Sequence, residues 1–194
     1  MKIFIAILAV ICFSQAQEFF DRPCRTPEEL GVKTGFLPNF YTGIWFEIER
    51  YEQRFQVDAD CVRAEYTFNA DGSIRVGNSA FRISTEESLE DVGRAVLSFP
   101  DEIPLRAMLN VTFGGDLINR SNYWVLSTDY SDYAFVVSCI NLPASRSSES
   151  YWLLSRSTTI STAARNRAND LIEKFIDRSR IRVTNQDNTA CRRI

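Results

Sequence analysis

The sequence predicts an all-β chain: an eight-stranded antiparallel up-and-down barrel followed by a C-terminal α-helix. Two observations predict it. Eight short runs rich in β-branched and aromatic residues follow one another at roughly ten-residue spacing, which implies a sandwich or an up-and-down barrel. After the eighth run the apolar period changes to that of a helix, and one amphipathic helix after eight strands favours the barrel.

The chain opens on Met1-Lys2 and an apolar run of eleven residues, Ile3 to Phe13. Ser14-Gln15-Ala16 then places small residues at the two positions a signal peptidase reads. Eleven residues are too few to span a bilayer as a helix, which takes about 20. Residues 1–16 therefore read as a signal peptide and 17–194 as a single secreted, extracellular domain. Pro23, Pro27 and Gly31 mark an irregular segment ahead of the first strand. The strands are predicted at Ile44–Tyr51, Val62–Phe68, Ser73–Phe81, Gly93–Phe99, Leu105–Phe113, Asn122–Thr128, Tyr133–Ile140 and Ser150–Arg156. Turn residues separate them at Asn69-Ala70-Asp71-Gly72, Pro100-Asp101, Gly114-Gly115 and Asn141-Leu142-Pro143. Thr159 is placed to cap the helix, in which Ala163, Ala164, Ala168, Leu171, Ile172, Phe175 and Ile176 recur at helical spacing up to Asp177.

Composition narrows the function. A hydrophobic content of 45% supplies a core plus an apolar interior. Loss of Lys2 with the signal peptide leaves 21 basic against 25 acidic side chains, a formal net charge of −4. No basic patch interleaved with aromatics is present, which argues against nucleic acid as a partner. The basic tail Cys191-Arg192-Arg193-Ile194 is short and reads as a solvated end. The chain contains no histidine, which excludes Ser-His-Asp and Cys-His catalysis and removes the usual proximal haem ligand. Of five cysteines, Cys12 leaves with the signal peptide. Cys24, Cys61, Cys139 and Cys191 remain, an even number in an oxidising compartment. Four cysteines allow three pairings. Without CxxC spacing or histidine they do not read as a metal site. Two sequons, Asn110-Val111-Thr112 and Asn119-Arg120-Ser121, allow N-glycosylation. Asn119 follows the Gly114-Gly115 turn, and Asn110 should face outward if Val111 faces inward.

Three segments carry more specific information. In Gly43-Ile44-Trp45-Phe46-Glu47-Ile48, Gly43 lets the chain bend into a strand and Trp45 supplies a large apolar plug. Ser127-Thr128-Asp129-Tyr130 leads into the hairpin turn Tyr130-Ser131-Asp132-Tyr133. In Leu153-Leu154-Ser155-Arg156, the arginine ends an apolar run and could lie flat on an indole. Together and in this order they resemble the three signature regions of the lipocalins. From Cys24 to Cys191 the chain resembles the bilin-binding protein, insecticyanin and apolipoprotein D branch of that family, with the crustacyanin-like branch a near relative. The matched strings include Val125-Leu126-Ser127-Thr128-Asp129, Leu154-Ser155-Arg156-Ser157, and Cys61 followed by Ala64-Glu65-Tyr66.

The resemblance implies a calycin barrel with disulfides Cys24–Cys139 and Cys61–Cys191, which leave no free thiol for the isolated enzymatic chemistry found in the family. It implies that Gly43, Trp45, Thr128, Asp129, Tyr130 and Arg156 form the closed end. With Arg156 facing inward, Leu154, Trp152, Ser150 and Ser148 share its face. Alignment about Cys139 and Gly114-Gly115 extends the inward, ligand-facing set to Asn78, Ala80, Val111, Phe113, Tyr123, Val125, Val136, Ser138 and Ile140. The implied function is a non-enzymatic, secreted carrier of one small hydrophobic ligand: a lipid, a sterol-like molecule, a retinoid, a bilin or a carotenoid. No cofactor or metal is expected, a bilin or carotenoid chromophore entering only as cargo. The histidines that neighbour the pigment in bilin binders are absent here, which favours a lipid or sterol-like cargo. Membrane or receptor docking for cargo delivery, as a monomer or homodimer, belongs to the same picture. Glu47 and Glu49 share the parity of Trp45, an arrangement that could hold an amine. The rival function is an interaction protein with a filled barrel that acts through its outer surface, where Phe36, Phe40, Phe55 and Phe99 would supply rim or end contacts.

Overall fold

All eight predicted runs form antiparallel strands, and hydrogen bonds between the first and last of them close the sheet on itself. The computed structural model describes residues 18–114, 122–187 and 191. The expected signal peptide and the Asn119 sequon lie outside the described residues. In chain order the elements are β1 (Glu18–Phe20), α1 (Pro27–Leu30), α2 (Pro38–Tyr41), β2 (Gly43–Tyr51), β3 (Ala59–Phe68), β4 (Ile74–Arg82), β5 (Glu87–Leu97), β6 (Met108–Phe113), β7 (Tyr123–Thr128), β8 (Tyr133–Leu142), β9 (Arg146–Ser155), α3 (Thr162–Phe175) and β10 (Ile181–Val183), with single 3₁₀ turns at Arg54–Gln56 and Arg178–Arg180. Strands β2 to β9 each pair with the next, and β9 pairs back onto β2.

Departures from the sequence reading have local causes. β5 starts at Glu87 because its ladder with β4 continues beyond the core, from Ile74↔Ala95 to Arg82↔Glu87, through exposed Glu90 and Asp91. β6 starts at Met108 because the residues before it pair instead with the N-terminal segment: Phe36 N donates to Leu105 O at 3.0 Å and Ala107 N to Lys33 O at 2.9 Å. Helix α3 is capped by Ser161, not Thr159. The Ser161 hydroxyl accepts from Ala164 N at 3.2 Å. Ala164, Ala168 and Ile172 are fully buried in the same core as Leu153 and Phe135, the small alanines letting the helix lie close on the barrel.

The four described cysteines pair as Cys24–Cys139 and Cys61–Cys191, across 115 and 130 residues. The second bond anchors a C-terminal strap. The β2–β3 ladder ends at Phe46↔Arg63. Beyond it the strap fills the gap: Thr184 N donates to Ile48 O at 3.0 Å, Cys61 N to Asn185 O at 3.0 Å, and the Gln186 amide to Glu47 O at 2.8 Å and Val62 O at 2.7 Å.

The closed end is a plug. Trp45 is fully buried, and the Arg156 guanidinium lies 3.7 Å above its ring. Arg156 donates to the carbonyls of Tyr130, Ile44, Phe40 and Thr42 at 2.7–3.0 Å. Gly43 has φ +90°, and a Cβ there would sit 3.3 Å from the guanidinium, so this position needs glycine twice over. The Asp129 carboxylate accepts from the backbone of Asp132 and Tyr133 at 2.9 and 3.1 Å, and the Thr128 hydroxyl donates to Tyr133 O at 2.6 Å. That turn holds Tyr130, at φ +66°, where its hydroxyl accepts from Leu37 N at 3.0 Å.

Candidate functional site: the barrel cavity

Alternation sets the interior. On β9, Ser150, Trp152 and Leu154 face inward, and the register places Ser138, Val136 and Ala134 of β8 opposite them. On β3 and β4, Ala64 and Tyr66 face Asn78 and Val76. These faces surround a cavity of about 660 Å³. Ten of the twelve residues assigned to the cavity line it: Asn78, Ala80, Val111, Phe113, Tyr123, Ser138, Ile140, Ser150, Trp152 and Leu154. Val125 and Val136 do not. They pair with each other, are fully buried and belong to the packed core that includes Trp45. Strand parity reports which way a residue faces, not whether its side chain reaches the void.

The wall also includes residues the sequence reading did not assign, among them Ile74, Val76, Ala95 and Leu109. The two-residue period that places Asn78 and Ala80 inside runs back through Val76 and Ile74, so that signal was present. Gln53, Phe55 and Gln56, from the β2–β3 connection, line the cavity as well. The Gln56 amide donates to Glu47 at 2.8 Å and accepts from the Trp152 indole at 3.1 Å, which fixes the indole in the wall.

The two glutamates that share the parity of Trp45 in the sequence are separated in the fold. A bulge between Glu47 and Glu49 shifts the β2–β9 register, so Glu47 faces Leu154 on the inside while Glu49 faces Leu153 on the outside. Glu49 accepts from the Tyr151 hydroxyl at 2.8 Å and pairs with Arg165 of α3 at 2.8 Å. Glu47 lines the cavity, but it is bound to Arg50 at 2.6 Å with both side chains buried. Burial alone would lower the pKa of the Arg50 guanidinium. The carboxylates of Glu47 and Glu52 outweigh it and hold the group above its ordinary value, charged and paired. Glu47 is committed to Arg50, and Glu49, turned to the other face, is not beside it to complete an amine site.

Two further expectations are corrected. Asn110 is 6% exposed within β6, so a glycan there does not fit the folded barrel. Phe36 is 2% exposed and packs on Tyr41 in the core rather than at a rim, whereas Phe40, Phe55 and Phe99 are exposed. Among the described residues, no group of three His, Cys, Asp or Glu side chains is arranged to hold a metal ion.

Residues 39–186 match the family described as a lipocalin-like domain. Apolipoprotein D of Macaca fascicularis is 32% identical over 185 residues, covering 94% of this chain and 93% of its own. The Lazarillo protein of Schistocerca americana is 30% identical over 190 residues, 96% of this chain and 84% of its own. Among solved structures, insecticyanin from the tobacco hornworm Manduca sexta superposes with a TM-score of 0.76 at 22% identity, over 90% of this chain and 92% of that one. Apocrustacyanin C1 superposes at 0.72 and 20% identity, over 88% and 92%. These two likenesses concern the fold. The family match spans most of the chain and the curated relatives nearly all of it: the chain belongs to the lipocalin family.

Proposed function

We propose that the protein is a secreted carrier that holds one small hydrophobic ligand in the barrel cavity. The observation that carries this reading is the cavity of about 660 Å³, bounded by Trp152, Phe113, Val111, Leu109, Val76 and Leu154, with polar side chains between them that include the charged Glu47, Arg63, Arg82, Glu90 and Asp91. Its size falls within the range of about 300–1,000 Å³ usual for small-molecule sites, and a wall whose exposed surface is mainly apolar suits a lipid, sterol-like molecule, retinoid, bilin or carotenoid. Lipocalins are generally binding proteins rather than enzymes, which fits a wall without a nucleophile–base pair. Two disulfides suit an oxidising, extracellular compartment. A filled barrel acting through its surface would not keep a void of this volume.

Native mass spectrometry of protein purified from its own tissue tests the reading. A carrier retains one bound apolar molecule per chain, and the stripped protein takes up an apolar fluorescent dye saturably. An empty native protein that binds no dye saturably would return the weight to an interaction protein.

A further inference from the structure

Three phenol groups meet on the cavity wall. The Tyr41 hydroxyl lies 2.9 Å from that of Tyr123, and the Tyr66 hydroxyl lies 3.0 Å from Tyr123. The residues come from three elements, α2, β3 and β7. All three line the cavity. Their rings are held in place: Tyr41 stacks on Tyr66 at 5.6 Å, Tyr66 meets Tyr123 edge-on at 6.5 Å, and Tyr123 stacks on Trp152 at 6.5 Å. Tyr41 also packs on Trp45 at 5.2 Å, which sets the cluster against the closed-end plug.

A proton count shows what the cluster lacks. Three phenols carry three O–H donors, and the two contacts between them use two. Among the described residues these hydroxyls make no other hydrogen bond. Whichever way the chain of bonds runs, one O–H is left over as a surplus donor. The open side of the cluster is the cavity itself.

We infer that the Tyr41–Tyr66–Tyr123 cluster is the polar recognition site for the inner end of the ligand, donating a hydrogen bond to an uncharged oxygen such as a carbonyl, hydroxyl or ether. The inference rests on the carrier reading and names the chemistry of its ligand. Two features favour a neutral acceptor over a carboxylate. Burial pushes the pKa of all three phenols well above 10, so they remain donors, and the same desolvation would fall on an anion placed beside them. Arg156 lies across Trp45 with its donors committed to four backbone carbonyls.

The test uses three probes of one shape: benzophenone, diphenylmethane and diphenylacetate. Each is titrated by dye displacement against the wild type and the triple variant Tyr41→Phe/Tyr66→Phe/Tyr123→Phe. The triple variant keeps every ring, so the diphenylmethane affinity and the circular dichroism spectrum report an intact cavity. The ratio of benzophenone to diphenylmethane affinity should fall roughly 2- to 12-fold in the triple variant, the span of one neutral hydrogen bond. Each single Tyr→Phe variant still holds a surplus O–H and should keep most of the ratio, a pattern that a packing role would not produce. A ratio unchanged in the triple variant would overturn the assignment. Diphenylacetate gaining as much as benzophenone would overturn its restriction to uncharged oxygens. A wild type that binds neither neutral probe saturably would remove the carrier reading itself, and this inference with it.

Discussion

At the scale of single residues, the closed end carries the strongest commitments. Trp45 has no exposed surface, and its indole is covered by Arg156 and hydrogen-bonded to Tyr41 O at 2.9 Å. Trp45→Ala should cost about 3–5 kcal/mol, the usual range for deleting a buried aromatic, and a urea titration reads it as a lowered midpoint. An unchanged midpoint would contradict the plug. These residues were legible because their signals are local: a glycine before a tryptophan, an Asx turn, an arginine that ends an apolar run. Glu49, Val125 and Val136 were not. A bulge that turns Glu49 outward leaves no mark in the alternation around it, and whether the inward valines reach the void depends on what packs against them.

Buried tyrosines give a second residue-scale prediction. Burial pushes Tyr51 up to about 12 and Tyr41, Tyr66, Tyr123 and Tyr151 well above the ordinary value of 10. An unfolded tyrosine releases its proton near 10. The native state therefore holds more protons above that pH, and stability present below pH 10 is lost as pH rises past it. Phenolate absorbance followed together with far-ultraviolet circular dichroism should show these tyrosines ionising in step with unfolding. Their ionisation near pH 10 in a folded barrel would contradict their burial.

At the scale of elements, the barrel strands were legible because apolar alternation is strong over six to eleven residues. The three-residue β1 and β10 were not, since no period can be read from so short a run. Their pairing depends on where the rest of the chain delivers them. The strap that follows β10 holds β2 to β3 where their own ladder has ended, and Cys61–Cys191 secures it. By chain entropy, a loop this long makes a disulfide worth nominally about 4–5 kcal/mol, with real values often lower. Cys61→Ser/Cys191→Ser should therefore lower the thermal midpoint. It should also raise amide exchange at Thr184 and Cys61, whose N–H groups bridge strap and strands. Unchanged exchange at both amides would show that the strap needs no anchor.

At the scale of the whole molecule, the fold and most of the cavity wall follow from the inside–outside alternation of a closed barrel, interrupted only locally by bulges. Ten of the twelve assigned wall residues line the cavity. The tyrosine cluster was only partly legible. Tyr123 was assigned by parity, while Tyr41 reaches the cavity from a short helix outside the barrel and Tyr66 needed the register of β3 against β4.

The central claim is that the inner face binds an apolar ligand, and one comparison tests it directly. Trp152 is in the wall and Leu153 is fully buried on the opposite face, in the core shared with α3. Titration of a retinoid, fatty-acid, biliverdin or carotenoid probe by tryptophan quenching or dye displacement should find Trp152→Ala weakened by roughly 1–3 kcal/mol, or about 5- to 150-fold. Leu153→Ala should lose stability while its folded fraction keeps nearly the wild-type affinity. Binding lost in Leu153→Ala and retained in Trp152→Ala would contradict the assignment of the inner face as the ligand site.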